Sequence, residues 1–137
     1  MTESTTTATD APGRAAVERY VAFWNAATEG EQRRAATAAF ADGVGYHVPL
    51  GVMRGTDELI GFRSEFADRL PDFRFQPRTE PDTHHDRARL QWELVVEGES
   101  FAAGTDVLEL DEAGRIVAVT GFVDRAPAGF DPDAHHR

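Results

Sequence analysis

The chain has 137 residues, 41% hydrophobic and 28% charged, which is enough for one modest hydrophobic core and too little for two comfortable domains. Its 14 basic residues stand against 24 acidic ones, a formal charge of -10 that repels phosphate backbones and anionic headgroups, so neither nucleic acid nor a membrane surface is an expected partner. Every basic residue is Arg and Cys is absent, which excludes lysine Schiff bases, disulfides, thiolate nucleophiles and Cys-ligated metals.

Residues 1–12 are Thr/Ala-rich without an apolar stripe and are expected as a disordered lead. The opening MTESTTTATDAPG lacks the basic and apolar regions of a signal peptide, and no apolar run approaches a membrane span, so the cytoplasm is the expected location. The domain itself is expected over 13–125, with 126–137 as a flexible tail.

Within the domain, Val17, Tyr20, Val21 and Trp24 fall at i, i+3, i+4 and i+7, one face of a helix over 13–28 that Gly30 punctuates. An Ala-rich helix over 31–41 follows, then a short strand over 44–48 that stops at Pro49. Thr56 is the expected N-cap of a third helix, with Asp57 and Glu58 in its first turn and Leu59, Phe62, Phe66 and Leu70 on one face. Past Pro71 the period changes from helical to alternating. Phe73 and Phe75 share a face, and Leu90, Trp92, Leu94 and Val96 alternate with polar residues. A strand over 101–110, a turn at Asp111–Gly114 and a returning strand over 115–124 complete an antiparallel meander. Segregated helices followed by such a meander indicate an α+β fold with the helices on one face of a bent sheet. The last strand carries Ile116, Ala118 and Phe122 on one face and Val117, Val119 and Val123 on the other. Two apolar faces need two covers, so a homodimer through this sheet is expected.

Asp106 is the most informative position. In the strand Thr105–Leu110 it shares its parity with Leu108 and Leu110, which puts a carboxyl on the apolar face, where burial disfavours the ionised form and a protonated, hydrogen-bond-donating Asp106 is expected near neutral pH. The bland alternatives are a bulge near Gly104 that flips the register and exposes it, or a carboxyl that merely bonds a nearby backbone group. Tyr20 lies on the buried stripe of the first helix and brings a hydroxyl that needs a partner or a ligand. His47 is the candidate base by its ordinary pKa, although it points away from the interior if Val48 points inward. His84-His85-Asp86 reads as a solvated turn, since adjacent loop ligands point apart and no further ligands follow at useful spacing. No metal and no cofactor are expected, and there is no GxGxxG, P-loop or GxSxG.

Several segments together resemble one family: Ala16 to Tyr20 followed by Trp24-Asn25, Phe40-Ala41-Asp42 leading to Tyr46-His47-Val48-Pro49, Arg54-Gly55, Gly104-Thr105-Asp106, and the run from Asp111 to Asp124. Over about 14–124 the chain resembles the NTF2-like superfamily, in its SnoaL-like (polyketide cyclase) and ketosteroid isomerase-like branches. The resemblance implies a cone in which three N-terminal helices pack on a strongly curved mixed or antiparallel sheet that encloses a pocket. It matches Tyr20 and Asp106 to the two oxyanion-hole residues of ketosteroid isomerase-like enzymes, a system that serves as a general example of a carboxylic acid kept neutral by its apolar site. The general-base aspartate of that family falls on Val48 here. Positions that carry the catalytic Arg and Asp residues of limonene epoxide hydrolase fall on Trp92, Leu94 and Gly121.

The expected function is therefore a SnoaL-like enzyme acting on a hydrophobic, carbonyl-bearing metabolite by cyclisation or isomerisation through an enolate. Asp106 and Tyr20 polarise the carbonyl, His47 is the candidate base, and Trp24, Tyr46, Val48, Met53, Phe62, Phe66 and Trp92 bind the substrate. The competing class is a non-catalytic ligand-binding or dimerisation module of the same fold, which a cavity filled by side chains would select.

Overall fold

The computed structural model of the protein describes residues 2–70 and 72–126, with side chains from Pro12 onward. Helix α1 (Thr2–Asn25) buries Ala16, Val17, Tyr20, Phe23 and Trp24 along one stripe. The segment 2–12 expected as a disordered lead continues this helix. Once a helix is nucleated by a packed segment, each added residue fixes one backbone pair for one more hydrogen bond, so extension is far easier than initiation. The helix stops before Gly30, because Asn25 bridges to the sheet instead: its Nδ2 donates to Phe75 O at 2.8 Å and its Oδ1 accepts from Phe75 N at 2.9 Å.

Gly30 instead lies in the first turn of α2 (Glu29–Ala39), whose N-cap is Thr28, with its hydroxyl oxygen accepting from Glu31 N at 3.1 Å. Strand β1 (Phe40–Val48) follows without a loop, and β2 (Gly51–Arg54), absent from the sequence expectation, folds back on it across Pro49-Leu50. The expected cap at Thr56 is not used. Gly55, at φ +84°, turns the chain from β2 straight into α3 (Gly55–Arg69), and Glu58 Oε1 accepts from Arg54 N at 2.7 Å.

The remaining strands are β3 (Phe73–Pro77), β4 (Asp82–His84), β5 (Arg87–Val96), β6 (Glu99–Leu110) and β7 (Ile116–Arg125). They join β1 and β2 in one seven-stranded sheet of order β2-β1-β7-β6-β5-β3, with β4 paired to β5. The β1–β7 pair is parallel and the others are antiparallel, so the sheet is mixed. It is not closed, and its register shifts in the β1–β7, β5–β6 and β6–β7 pairs are the devices that bend strands and raise local twist. The turn before β7 is as expected: Asp111 Oδ1 accepts from both Ala113 N and Arg115 N at 2.9 Å. No helix among the described residues is long and apolar enough to cross a membrane.

The two-faced reading of β7 needs correction. A bulge opposite Leu110 separates Ile116 from Ala118, so Ile116 and Val119 are both fully buried while Val117 is exposed at 37%. The inner face of the sheet thus carries Tyr46, Val119, Leu108 and Ala88 in one cross-strand row and Gly121, Asp106 and Leu90 in the next. Against this face α1 packs Tyr20, Phe23 and Trp24, whose rings meet Phe40 and Phe75 edge-on or tilted at 5.2 to 6.1 Å. The predicted tail lies outside the described residues from 127 on.

Candidate active site

Asp106 stands in the middle of β6, between Leu90 of β5 and Gly121 of β7, and is only 2% exposed. The ladder does shift between Ala103 and Gly104, the place where a bulge could have flipped it, yet Asp106 keeps its inward parity. Tyr20 Oη donates to Asp106 Oδ2 at 2.5 Å, and Trp92 Nε1 donates to Asp106 Oδ1 at 2.9 Å.

Two glycines make this arrangement possible. A Cβ at Gly121 would sit 2.7 Å from Asp106 Oδ1 and 2.9 Å from Val48 Cγ1, so only a bare backbone lets the carboxyl lie over β7. A Cβ at Gly104 would overlap the Trp92 indole and the Phe122 carbonyl, so the same holds for the ring that donates to Asp106.

Burial pushes the Asp106 pKa up to about 6, against the pull of the Tyr20 and Trp92 hydrogen bonds, which favour the carboxylate. The raised value agrees with the expectation from parity. Tyr20 and Trp92 place a donor on each carboxyl oxygen, and a carboxyl whose pKa lies near 6 changes protonation close to neutral pH, so Asp106 can exchange a proton there. Tyr20 and Tyr46 are both held protonated, well above the usual phenol range, first by burial and then by the nearby Asp106 charge. The Trp24 indole N–H is buried with no acceptor in hydrogen-bonding geometry among the described residues.

Asp106 forms part of the wall of a cavity of about 570 Å³, within the size range of small-molecule sites. Of the residues expected to bind a substrate, Trp24, Tyr46, Val48, Phe62, Phe66 and Trp92 line it. Met53 does not; it is partly buried against the core beside Tyr46, its partner in the β1–β2 ladder. His47 is also corrected. Its register partners are Val52 and Thr120, on the side of the sheet opposite Tyr46 and Val119, and its ring lies over the outer side of Gly45, 3.0 Å from where a Cβ would stand. Strand alternation makes this unavoidable once Val48 faces inward.

Other contributors were not singled out from the sequence. Phe75, Leu94, Phe101 and Arg69 also line the cavity, and the first two were signalled only by alternation with known inward neighbours. Arg63 is buried on α3, where Nη2 donates to Ala26 O at 2.6 Å and Nε to Trp24 O at 3.2 Å, tying the end of α1, and so Trp24, to α3. His84 and His85 are exposed at the β4–β5 turn. Among the described residues no group of three or more His, Asp or Glu is placed to hold a metal ion. Chemically, the site offers one buried carboxyl that titrates near neutral pH, a phenol hydrogen-bonded to it, and a largely apolar wall.

The sequence profile of the SnoaL-like domain matches residues 7–119. No curated protein sequence matches the chain. A solved structure from Agrobacterium tumefaciens, provisionally described as an isomerase of the SnoaL-like family, is 30% identical over 83% of this chain and 98% of its own, with a TM-score of 0.78. A SnoaL-like protein of unknown function from Burkholderia thailandensis has a TM-score of 0.67 at 17% identity, covering 84% of this chain and 97% of its own. A protein from Jannaschia sp. CCS1, provisionally described as a SnoaL-like polyketide cyclase, has a TM-score of 0.65 at 16% identity, over 83% of this chain and 86% of its own. At such identities the last two speak for the fold alone. An α+β architecture with three helices on a curved mixed sheet, a profile match across most of its length and the Agrobacterium relative together place this chain in the SnoaL-like domain family, within the NTF2-like fold.

Proposed function

We propose that the protein is a cofactor-independent enzyme that moves a proton on a hydrophobic, carbonyl-bearing small molecule, giving cyclisation or isomerisation through an enolate. The observation that carries this reading is the burial of one hydrogen-bonded carboxyl, its pKa raised to about 6, in the wall of an apolar cavity large enough for a ligand. Asp106 accepts the proton from the carbon next to the carbonyl, and the same carboxyl, now neutral, returns it to another carbon or to the oxygen formed on ring closure. Nothing is oxidised or reduced, so one group that can act in both directions suffices. Tyr20 steadies the carboxylate through the 2.5 Å hydrogen bond, and the phenol of Tyr46 stands nearby to polarise the carbonyl. With His47 on the outer side of the sheet, Asp106 takes the role expected for it.

The test follows proton exchange and does not require the natural substrate. Hydrophobic ketones such as 2-tetralone, a β-diketone and an aryl β-keto ester are incubated with the protein in D2O and their α-hydrogens followed by NMR. Wild type accelerates exchange over buffer, and Asp106→Asn removes the acceleration by on the order of 100-fold. Exchange at the buffer rate with both proteins overturns the catalytic reading.

The second reading, a non-catalytic binding or dimerisation module, is favoured by the fact that both Asp106 oxygens already have donors, as a purely structural carboxyl would. Ligand binding without any exchange supports it.

We also infer a homodimer through the outer face of the sheet. Val52 and Phe122, exposed at 52% and 56%, and Val117 leave apolar surface on β2 and β7 that a second copy would cover.

A further inference from the structure

The charges along the cavity point to the kind of molecule it takes. Among the described residues that line it, Asp106 and Arg69 are the only charged ones. They differ in depth: Asp106 is buried, whereas Arg69 is exposed and so marks the open end.

Arg69 stands three residues after Phe66 in the last turn of α3, on the same side of the helix. A cation there complements the helix dipole, which explains its height on the helix but not its place against the cavity. Glu65, four residues earlier, is in the favourable position for an ion pair with it. The pair is not made. Among the described residues Arg69 has no hydrogen bond or salt bridge; Arg34, Arg54, Arg74 and Arg115 likewise meet no carboxylate there, and of these five it is Arg69 that lines the cavity. In a chain of formal charge -10, a positive group that meets no carboxylate among the described residues stands beside an apolar cavity, the arrangement that selects an anion.

We propose that the ligand is an amphipathic organic acid, with its carbonyl at Asp106, its apolar body along Trp24, Phe62 and Phe66, and a carboxylate held at the rim by Arg69. The β6 wall from Asp106 to Phe101 covers five residue steps, roughly 16 Å at about 3.3 Å per residue, room for a two- or three-ring body with a short acidic side chain. The proposal rests on the reading of the cavity as a substrate site.

The test uses two fluorescent probes of nearly the same shape: 8-anilinonaphthalene-1-sulfonate, an anion, and N-phenyl-1-naphthylamine, its neutral counterpart. The chain has two tryptophans, Trp24 and Trp92, and both line the cavity, so energy transfer from tryptophan to the probe reports occupancy there. Arg69→Gln is expected to weaken the sulfonate about fivefold while leaving the neutral probe within about twofold, and salt is expected to weaken the sulfonate in wild type only. Equal effects on both probes, or none on either, overturn the organic-acid proposal while the cavity reading stands. Failure of both probes to bind wild type overturns the cavity reading and the proposal with it.

Discussion

The phenol of Tyr20 and the carboxyl of Asp106, 86 positions apart in the chain, meet at 2.5 Å with Tyr20 as donor. This one contact ties the first helix to the middle of the sheet and sets the electrostatic character of the cavity. Tyr20 favours the ionised form of Asp106, burial opposes it, and burial wins by enough to bring the group near neutral pH.

Removing the donor tests that balance. Tyr20→Phe leaves Asp106 with the Trp92 hydrogen bond alone, so the midpoint of proton exchange against pH moves upward. Loss of a hydrogen bond to a buried charged group costs on the order of 1–3 kcal/mol of stability, measurable by urea unfolding at pH 8. An unmoved midpoint means that Tyr20 does not act on Asp106.

Asp106 itself links stability to pH. Its folded pKa lies above the unfolded value, so between about pH 4 and 6 the native state holds the extra proton and stability falls as pH rises, levelling off above 6. Asp106→Asn removes this dependence. Above pH 7 it is expected to recover up to about 3 kcal/mol, less what its altered hydrogen bonds lose, while losing activity. A wild-type stability that rises between pH 4 and 6, once other groups are matched by the variant, contradicts the raised pKa.

The pH profile of exchange separates two roles. A carboxylate base of pKa about 6 gives a rate that climbs through pH 6 and is flat at 7 to 8, whereas a protonated donor gives a rate that falls above 6. The first form is expected.

Two substitutions probe position. Gly121→Ala places a methyl 2.7 Å from Asp106 Oδ1 and must displace the carboxyl, so exchange falls roughly 10- to 100-fold with the fold retained in circular dichroism. His47→Ala, on the opposite side of the sheet, leaves exchange within about twofold of wild type. A large loss in His47→Ala places that imidazole in the reaction after all.

The dimer is checked by light scattering. Wild type at micromolar concentration is expected at twice the chain mass, and Phe122→Asp, which sets a charge on the exposed surface of β7, at the monomer mass. A monomeric wild type rejects the interface.

What the sequence by itself determined is the direction of each side chain relative to its own element. The 3.6-residue period places Tyr20 and Trp24 on the buried stripe of α1, and the two-residue period places Asp106 with Leu108 and, across the strand, His47 opposite Val48. Such periods are local steric facts and need no partner. They are also why the fold class was legible from segregated helices and strands.

Only the tertiary structure decided which faces meet. The bulge that turns Ile116 and Val119 to one side of β7, the hairpin that adds β2, the exclusion of Met53 from the cavity and the place of Arg69 beside it all depend on register and on packing between distant segments. The same holds for the Asp106 pKa. Parity showed that the carboxyl lies among apolar neighbours, but its value is set first by how completely the packed elements bury it and then by the opposing pull of two donors from α1 and β5, and no local period encodes a contact between elements so far apart in the chain.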